Sequence, residues 1–154
     1  MPTASARNRP HPWLMGWLWL GLAAVVSAGD RVEEVVAAVR FAYGLEAEVW
    51  RDPARFRTRA AIYEHFRQGF SPDLASAMTE HVLTGDGDLA TWVPAQVQVA
   101  ELLPSFALVW FPTPPAFGEG GLWGLESYMQ LKLRRDGGRW VVYEGTDRPA
   151  PPVR

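Results

Sequence analysis

The chain is 154 residues long, 48% apolar and 21% charged, the balance of one globular domain rather than of a disordered or low-complexity chain. It contains no cysteine, which excludes disulfides, thiolate metal sites, a cysteine nucleophile and a lipid-modified N-terminal cysteine. From Asp30 onward there are 13 basic and 17 acidic residues, a net charge of −4; nucleic acid wants a basic face, and this balance does not supply one.

The stretch from Pro12 to Ala28 is uncharged and apolar, with Arg7, Arg9 and His11 before it and Asp30, Arg31, Glu33 and Glu34 after it. Positive charge before the run and acid after it predict export, with the N-terminus inside and the body outside the cytoplasmic membrane. The run fits two modes. It reaches the lower edge of the roughly 17–25 residues a membrane span needs, and its small-residue end Val26-Ser27-Ala28 also suits a signal peptide cleaved after Ala28. Residues 1–28 are thus a signal peptide or a single membrane anchor, residues 30–146 the folded domain, and residues 147–154 a proline-rich flexible tail.

Within the body, Asp30 is placed to cap a helix carrying Val32, Val35, Val36, Val39 and Tyr43 on one stripe, with Gly44 as its stop. Asp52-Pro53 has the grammar of a second helix start; that helix runs through Arg67, presents Phe56, Ala60, Tyr63 and Phe66, and is terminated by Gly69. Ser71-Pro72 repeats the grammar for a third helix, which stacks Leu74, Met78, His81 and Val82 and ends near Gly85.

After Gly85 the period changes from helical to two. Val97 and Val99 alternate with Gln96 and Gln98 in a strand that turns at Pro104-Ser105. Phe106 to Phe111 is a near-continuous apolar run, as expected of a strand covered on both faces. A proline- and glycine-rich connection, Pro112 to Leu125, leads to the clearest signal in the chain, Ser127 to Gly145. There Met129, Leu131 and Leu133 alternate with polar residues, Asp136-Gly137 supplies a tight turn, and Trp140 and Val142 continue the alternation. The expectation is an α+β domain, three N-terminal helices packed on an antiparallel sheet.

Helices first, then a sheet closing in the hairpin Leu131-Lys132-Leu133-Arg134-Arg135-Asp136-Gly137-Gly138-Arg139-Trp140-Val141-Val142, resembles the nuclear transport factor 2-like superfamily over roughly residues 31–145. The resemblance implies a cone, with helices across the concave face of a strongly curved sheet, and is similar to bacterial envelope proteins that join such a domain to one hydrophobic segment. The chain departs from that pattern in lacking a short early hairpin between the first helices and the later one. The family hosts enzymes, ligand binders and interaction modules, so the resemblance does not choose among them.

Candidate chemistry is sparse. His81 falls on the apolar side of the third helix and is the one candidate general base, although a hydrogen-bonded core histidine is the commoner role. His65 falls opposite Phe56 and is expected to face solvent. Three histidines this dispersed have no metal-ligand spacing, and no HExxH occurs. Tyr43 and Tyr63 lie on inward stripes and are candidate ligand donors, with core packing the usual alternative. Asp86 and Asp88 suggest a calcium loop, but Ala90 takes the next ligand position, so a turn is favoured. Gly118 to Gly124 lacks dinucleotide-loop spacing. No cofactor and no metal are implied. Arg51, Arg55, Arg57, Arg59 and Arg67 read as a solvated face paired with Glu46, Glu48 and Glu64, and Phe117 and Trp123, in the long connection, are candidate binding residues.

Two functions follow from different classes. The favoured one is a non-catalytic extracytoplasmic domain that binds an envelope protein or peptide, because no second acid/base residue pairs with His81. The alternative is an enzyme or carrier that takes a small apolar ligand into the cone through His81, Tyr43 or Tyr63. An open pocket lined by His81 with a carboxylate in hydrogen-bond reach favours the second, and a filled interior favours the first. Assembly through the sheet into a homodimer is compatible with both.

Overall fold

The computed structural model describes residues 27–85, 89–114 and 127–149. Their architecture is α+β: helices α1 (Ala28–Arg51), α2 (Arg59–Phe66) and α3 (Pro72–Thr84) precede strands β1 (Gln98–Leu102), β2 (Phe106–Pro112), β3 (Tyr128–Asp136) and β4 (Arg139–Arg148). The strands form one antiparallel meander in the order β1-β2-β3-β4. Among the described residues no helix is long and apolar enough to cross a membrane; residues 1–26 of the apolar N-terminal stretch lie outside them.

The helix boundaries differ from expectation in three places. The cap of α1 is Ser27, not Asp30: the Ser27 hydroxyl accepts the Asp30 N–H at 3.1 Å and the Asp30 carboxylate accepts the Ser27 N–H at 3.1 Å, a capping box. Gly44 does not stop the helix, which continues to Arg51 and buries Leu45, Ala47 and Val49. That burial outweighs the cost of about 1 kcal/mol of a glycine inside a helix. Asp52 is the C-cap of α1, its N–H bonded to the Glu48 carbonyl at 3.0 Å, rather than the start of α2. The chain turns through residues 53–58, and α2 starts behind Thr58, whose hydroxyl accepts the Ala61 N–H at 3.2 Å. The third helix is as expected, with Ser71 as N-cap, Pro72 in its first turn and Gly85 as a left-handed C-cap at φ 73°.

The helices pack on one face of the sheet. Ala107, Val109 and Phe111 of β2, Leu131 and Leu133 of β3, and Trp140 and Val142 of β4 meet Val35, Val39, Ala42, Ile62, Phe66 and Ala75 in a single core. β2 alternates between buried and half-buried positions, so it is covered on one face rather than two; Phe106, Leu108 and Trp110 point away from the helices. The link between α2 and α3 closes the edge of β4: Ser71 N–H donates to the Val142 carbonyl at 2.8 Å and Val142 N–H to the Gly69 carbonyl at 2.9 Å. Gly69 is needed there, because a Cβ would stand 2.9 Å from Leu45 Cδ1 and 3.1 Å from the Ala42 Cα.

The β3–β4 hairpin turns as the dipeptide signal predicts, with Gly137 at φ 57° and Gly138 at φ 84° between paired Asp136 and Arg139. Its tip is tied to the helices. Arg135 donates to Glu34 and to the Gly138 carbonyl, each at 2.6 Å, and lies over the Trp140 ring at 4.5 Å. Arg67 donates to the Phe70 carbonyl at 2.6 Å and pairs with Asp136 at 3.4 Å. β4 extends through Arg148, two residues into the expected tail. Register shifts mark irregularities in β1, between Val99 and Glu101, and in β4, where Lys132 faces Glu144 while Leu133 faces Val142.

Candidate functional site

A cleft of about 700 Å³ opens between α1, α3, the segment 89–92 and the helix-facing side of the sheet. Each element brings residues at its own period. Tyr43 and Glu46 are one turn apart on α1; Leu74, Met78 and His81 follow the i, i+4, i+7 stripe of α3; Met129 and Leu131 are alternate residues of β3. From β4 come Val142, Gly145 and Asp147. Simple alternation from Val142 would send Glu144 and Thr146 inward. The bulge leaves Tyr143 as the extra residue and shifts the phase, so Gly145 pairs with Leu131 and Asp147 with Met129, on the cleft side.

Segment 89–97 is held to α1 at two points. Glu46 Oε2 accepts the Ala90 N–H at 2.8 Å, and Arg40 donates to the Pro94 carbonyl at 3.3 Å and to the Ala95 carbonyl at 2.6 Å. This anchoring seats Trp92 against Tyr43, ring centroids 5.3 Å apart, with Phe111 5.3 Å from Tyr43 and 6.0 Å from Trp92. Tyr43 and Trp92 line the cleft, backed by the fully buried Phe111.

Apart from His81, the described polar groups of the cleft are carboxyls, hydroxyls and backbone groups. Burial pushes the Glu46 carboxyl up to about 7, opposed only by the Ala90 hydrogen bond, so near neutral pH it holds a proton about half the time. Tyr43 is only 5% exposed; burial first, then the charges of Glu46 and Asp147, raise its phenol well above the ordinary value, keeping the hydroxyl protonated. Among the described residues, no group hydrogen-bonds the Tyr43 hydroxyl or the Asp147 carboxylate, and no lysine or arginine lines the cleft.

Of the expected site residues, the cleft brings together Tyr43 and His81. His81 shares the stripe of Leu74 and Met78, as expected, but is exposed, and none of its described contacts is a hydrogen bond to a carboxylate. Tyr63 is half-buried and lines a separate groove of about 370 Å³ with Arg59, Ala60, Ser76 and Thr79. Phe117 and Trp123 lie outside the described residues, as do Asp86 and Asp88.

His65 is the buried histidine, contrary to expectation. It is 5% exposed, its Nε2 is 2.9 Å from the Leu45 carbonyl, and its ring lies 4.5 Å from Phe56. Phe56 belongs to the turn before α2, so a helical phase counted from it points the wrong way. The arginine face also pairs differently: Arg59 with Glu80 and Arg67 with Asp136, while Glu46 turns to the cleft.

Glu46, Asp147 and Trp92 were not identifiable from the chemistry of their sequence neighbourhoods. Glu46 had one usable signal, its position a turn beyond Tyr43 on a helix that does not stop at Gly44. Asp147 depends on the bulge, and Trp92 on a loop held by side chains of α1. Comparisons with protein-family models, curated proteins and solved structures found no match to this chain.

Proposed function

We propose that this is an extracytoplasmic binding domain whose ligand is a small, largely apolar molecule held in the cleft between α1, α3 and the sheet. The observation that carries the reading is the open cleft of about 700 Å³ with apolar walls and a few convergent polar groups, the usual anatomy of a ligand site. It favours the carrier among the sequence-based alternatives, and the lack of a described His81–carboxylate hydrogen bond argues against an acid/base pair built on that histidine. The nuclear transport factor 2-like cone is the matching fold proposal, supported by the helix-first order and by bulges of the kind that bend strands.

The test is titration of the full chain with Nile red, an uncharged apolar dye, beside a Met78→Trp variant that fills the cleft. Saturable binding that weakens at least tenfold in the variant is expected; equal binding by both proteins contradicts the reading. Met78 is half-buried beside the core, so circular dichroism of the variant checks that it folds.

Export belongs to the same proposal, and its support is the uncharged run with its charged flanks. Retention as a tether is favoured by Ser27: cleavage after Ala28 removes the cap of α1, and such caps contribute about 1 kcal/mol. A second reading, homodimer formation through the sheet, is supported by Phe106, Leu108 and the Trp110–Tyr128 pair at 5.5 Å on the side away from the helices. Light scattering of wild type and Trp110→Glu tests it, with a dimer expected only for the wild type.

A further inference from the structure

We propose that the ligand is an apolar organic cation, a protonated amine whose ammonium sits among Tyr43, Glu46 and Asp147 while its hydrocarbon part lies against Met78, Met129 and Trp92. The inference rests on the cleft being a ligand site and adds the chemical class. Two carboxyl groups from different elements reach one apolar cleft, one from α1 and one from β4. No lysine or arginine among the described lining residues offsets them. Glu46 is half-buried and Asp147 exposed, and an incoming cation supplies the positive charge that the described lining residues do not.

The Tyr43 hydroxyl is an independent pointer. Its side chain is 95% buried, it lines the cleft, and the described residues leave the hydroxyl without a hydrogen-bond partner. The ring is buried, but the hydroxyl is not among the buried atoms left without a partner; it opens to the cleft, where a ligand can reach it. Its oxygen can accept an N⁺–H. Tyr43 and Trp92, packed together with ring centroids 5.3 Å apart, both line the cleft and offer an ammonium a cation–π attraction. Glu46 spends one oxygen on Ala90, and its other oxygen has no described partner.

The groups that titrate around the site are Tyr43 and Glu46 on α1, His81 on α3 and Asp147 on β4; segment 89–92 contributes none. Amine binding requires Glu46 ionised, so affinity rises with pH through the range in which its carboxyl titrates, about 7, until the amine itself deprotonates.

Three probes of equal chain length, octylamine, 1-octanol and octanoate, test the inference by calorimetry on the full chain, its Glu46→Gln, Asp147→Asn double variant, and Met78→Trp. Glu46→Gln retains an oxygen for the Ala90 amide, so the loop stays anchored, and uptake by residues 12–28 is common to every protein and cancels. Octylamine is expected to bind at least tenfold tighter than the other two at pH 7.5, to lose that advantage in the double variant, and to weaken several-fold at pH 6. Tighter binding of 1-octanol or octanoate, still blocked by Met78→Trp, overturns the cation and leaves the ligand cleft standing. Uptake of all three probes that Met78→Trp leaves unchanged overturns both.

Discussion

Glu46 and His65 carry most of what individual side chains decide. Glu46 anchors the loop before β1 and keeps its proton to about pH 7, against an ordinary value of 4.5, because burial disfavours the carboxylate. The unfolded chain releases that proton near the ordinary value, so the folded state binds more protons between the two, and stability falls as pH rises across that window. Chemical denaturation should show a loss on the order of 1–3 kcal/mol between pH 4.5 and 7.5, absent in Glu46→Gln. His65 has the opposite character. With Nε2 on the Leu45 carbonyl and its ring beside Phe56, it fastens α2 to α1. His65→Ala should cost about 2 kcal/mol in urea unfolding through the lost bond and the void left behind, while Nile red affinity, referred to folded protein, stays unchanged.

Between elements, the decisive contact is the close approach of the α2–α3 link to α1 and to β4. Gly69 fits against Leu45 and Ala42 while its carbonyl accepts the Val142 N–H. A methyl group there must displace helix backbone, not merely a flexible side-chain end. Gly69→Ala should therefore destabilise by about 1–3 kcal/mol, seen as a lower melting temperature of the folded domain. The elements themselves were readable wherever a local rule was decisive. Ser71-Pro72 and Gly85 bound α3 as their cap chemistry requires, and Gly137-Gly138 turns the hairpin. Gly44 and Asp52-Pro53 misled because tertiary burial of Leu45, Ala47 and Val49 carries α1 through its expected end. The same extension puts Glu46 on a helix face beside Tyr43. The bulge at Tyr143 has no signature in the alternation of β4, yet it alone brings Asp147 to the cleft side; half of the polar site was hidden for that reason.

At the scale of the whole molecule, the helices cover one side of the sheet but leave a cleft of about 700 Å³ beside the core. The buried core from Val35 to Val142 holds its walls without filling it. If the N-terminal segment is retained as the tether proposed above, mass mapping of the membrane fraction should return the chain intact rather than beginning at Gly29. The most direct measurement of the cleft's role uses the four methionines of the chain. Met78 and Met129 line the cleft, whereas Met1 and Met15 precede the fold. In a carbon-13 methyl NMR titration with octylamine, the Met78 and Met129 signals should shift together and saturate at a common dissociation constant. Unmoved signals from both, at concentrations that shift only Met1 or Met15, would contradict a ligand site between the helices and the sheet.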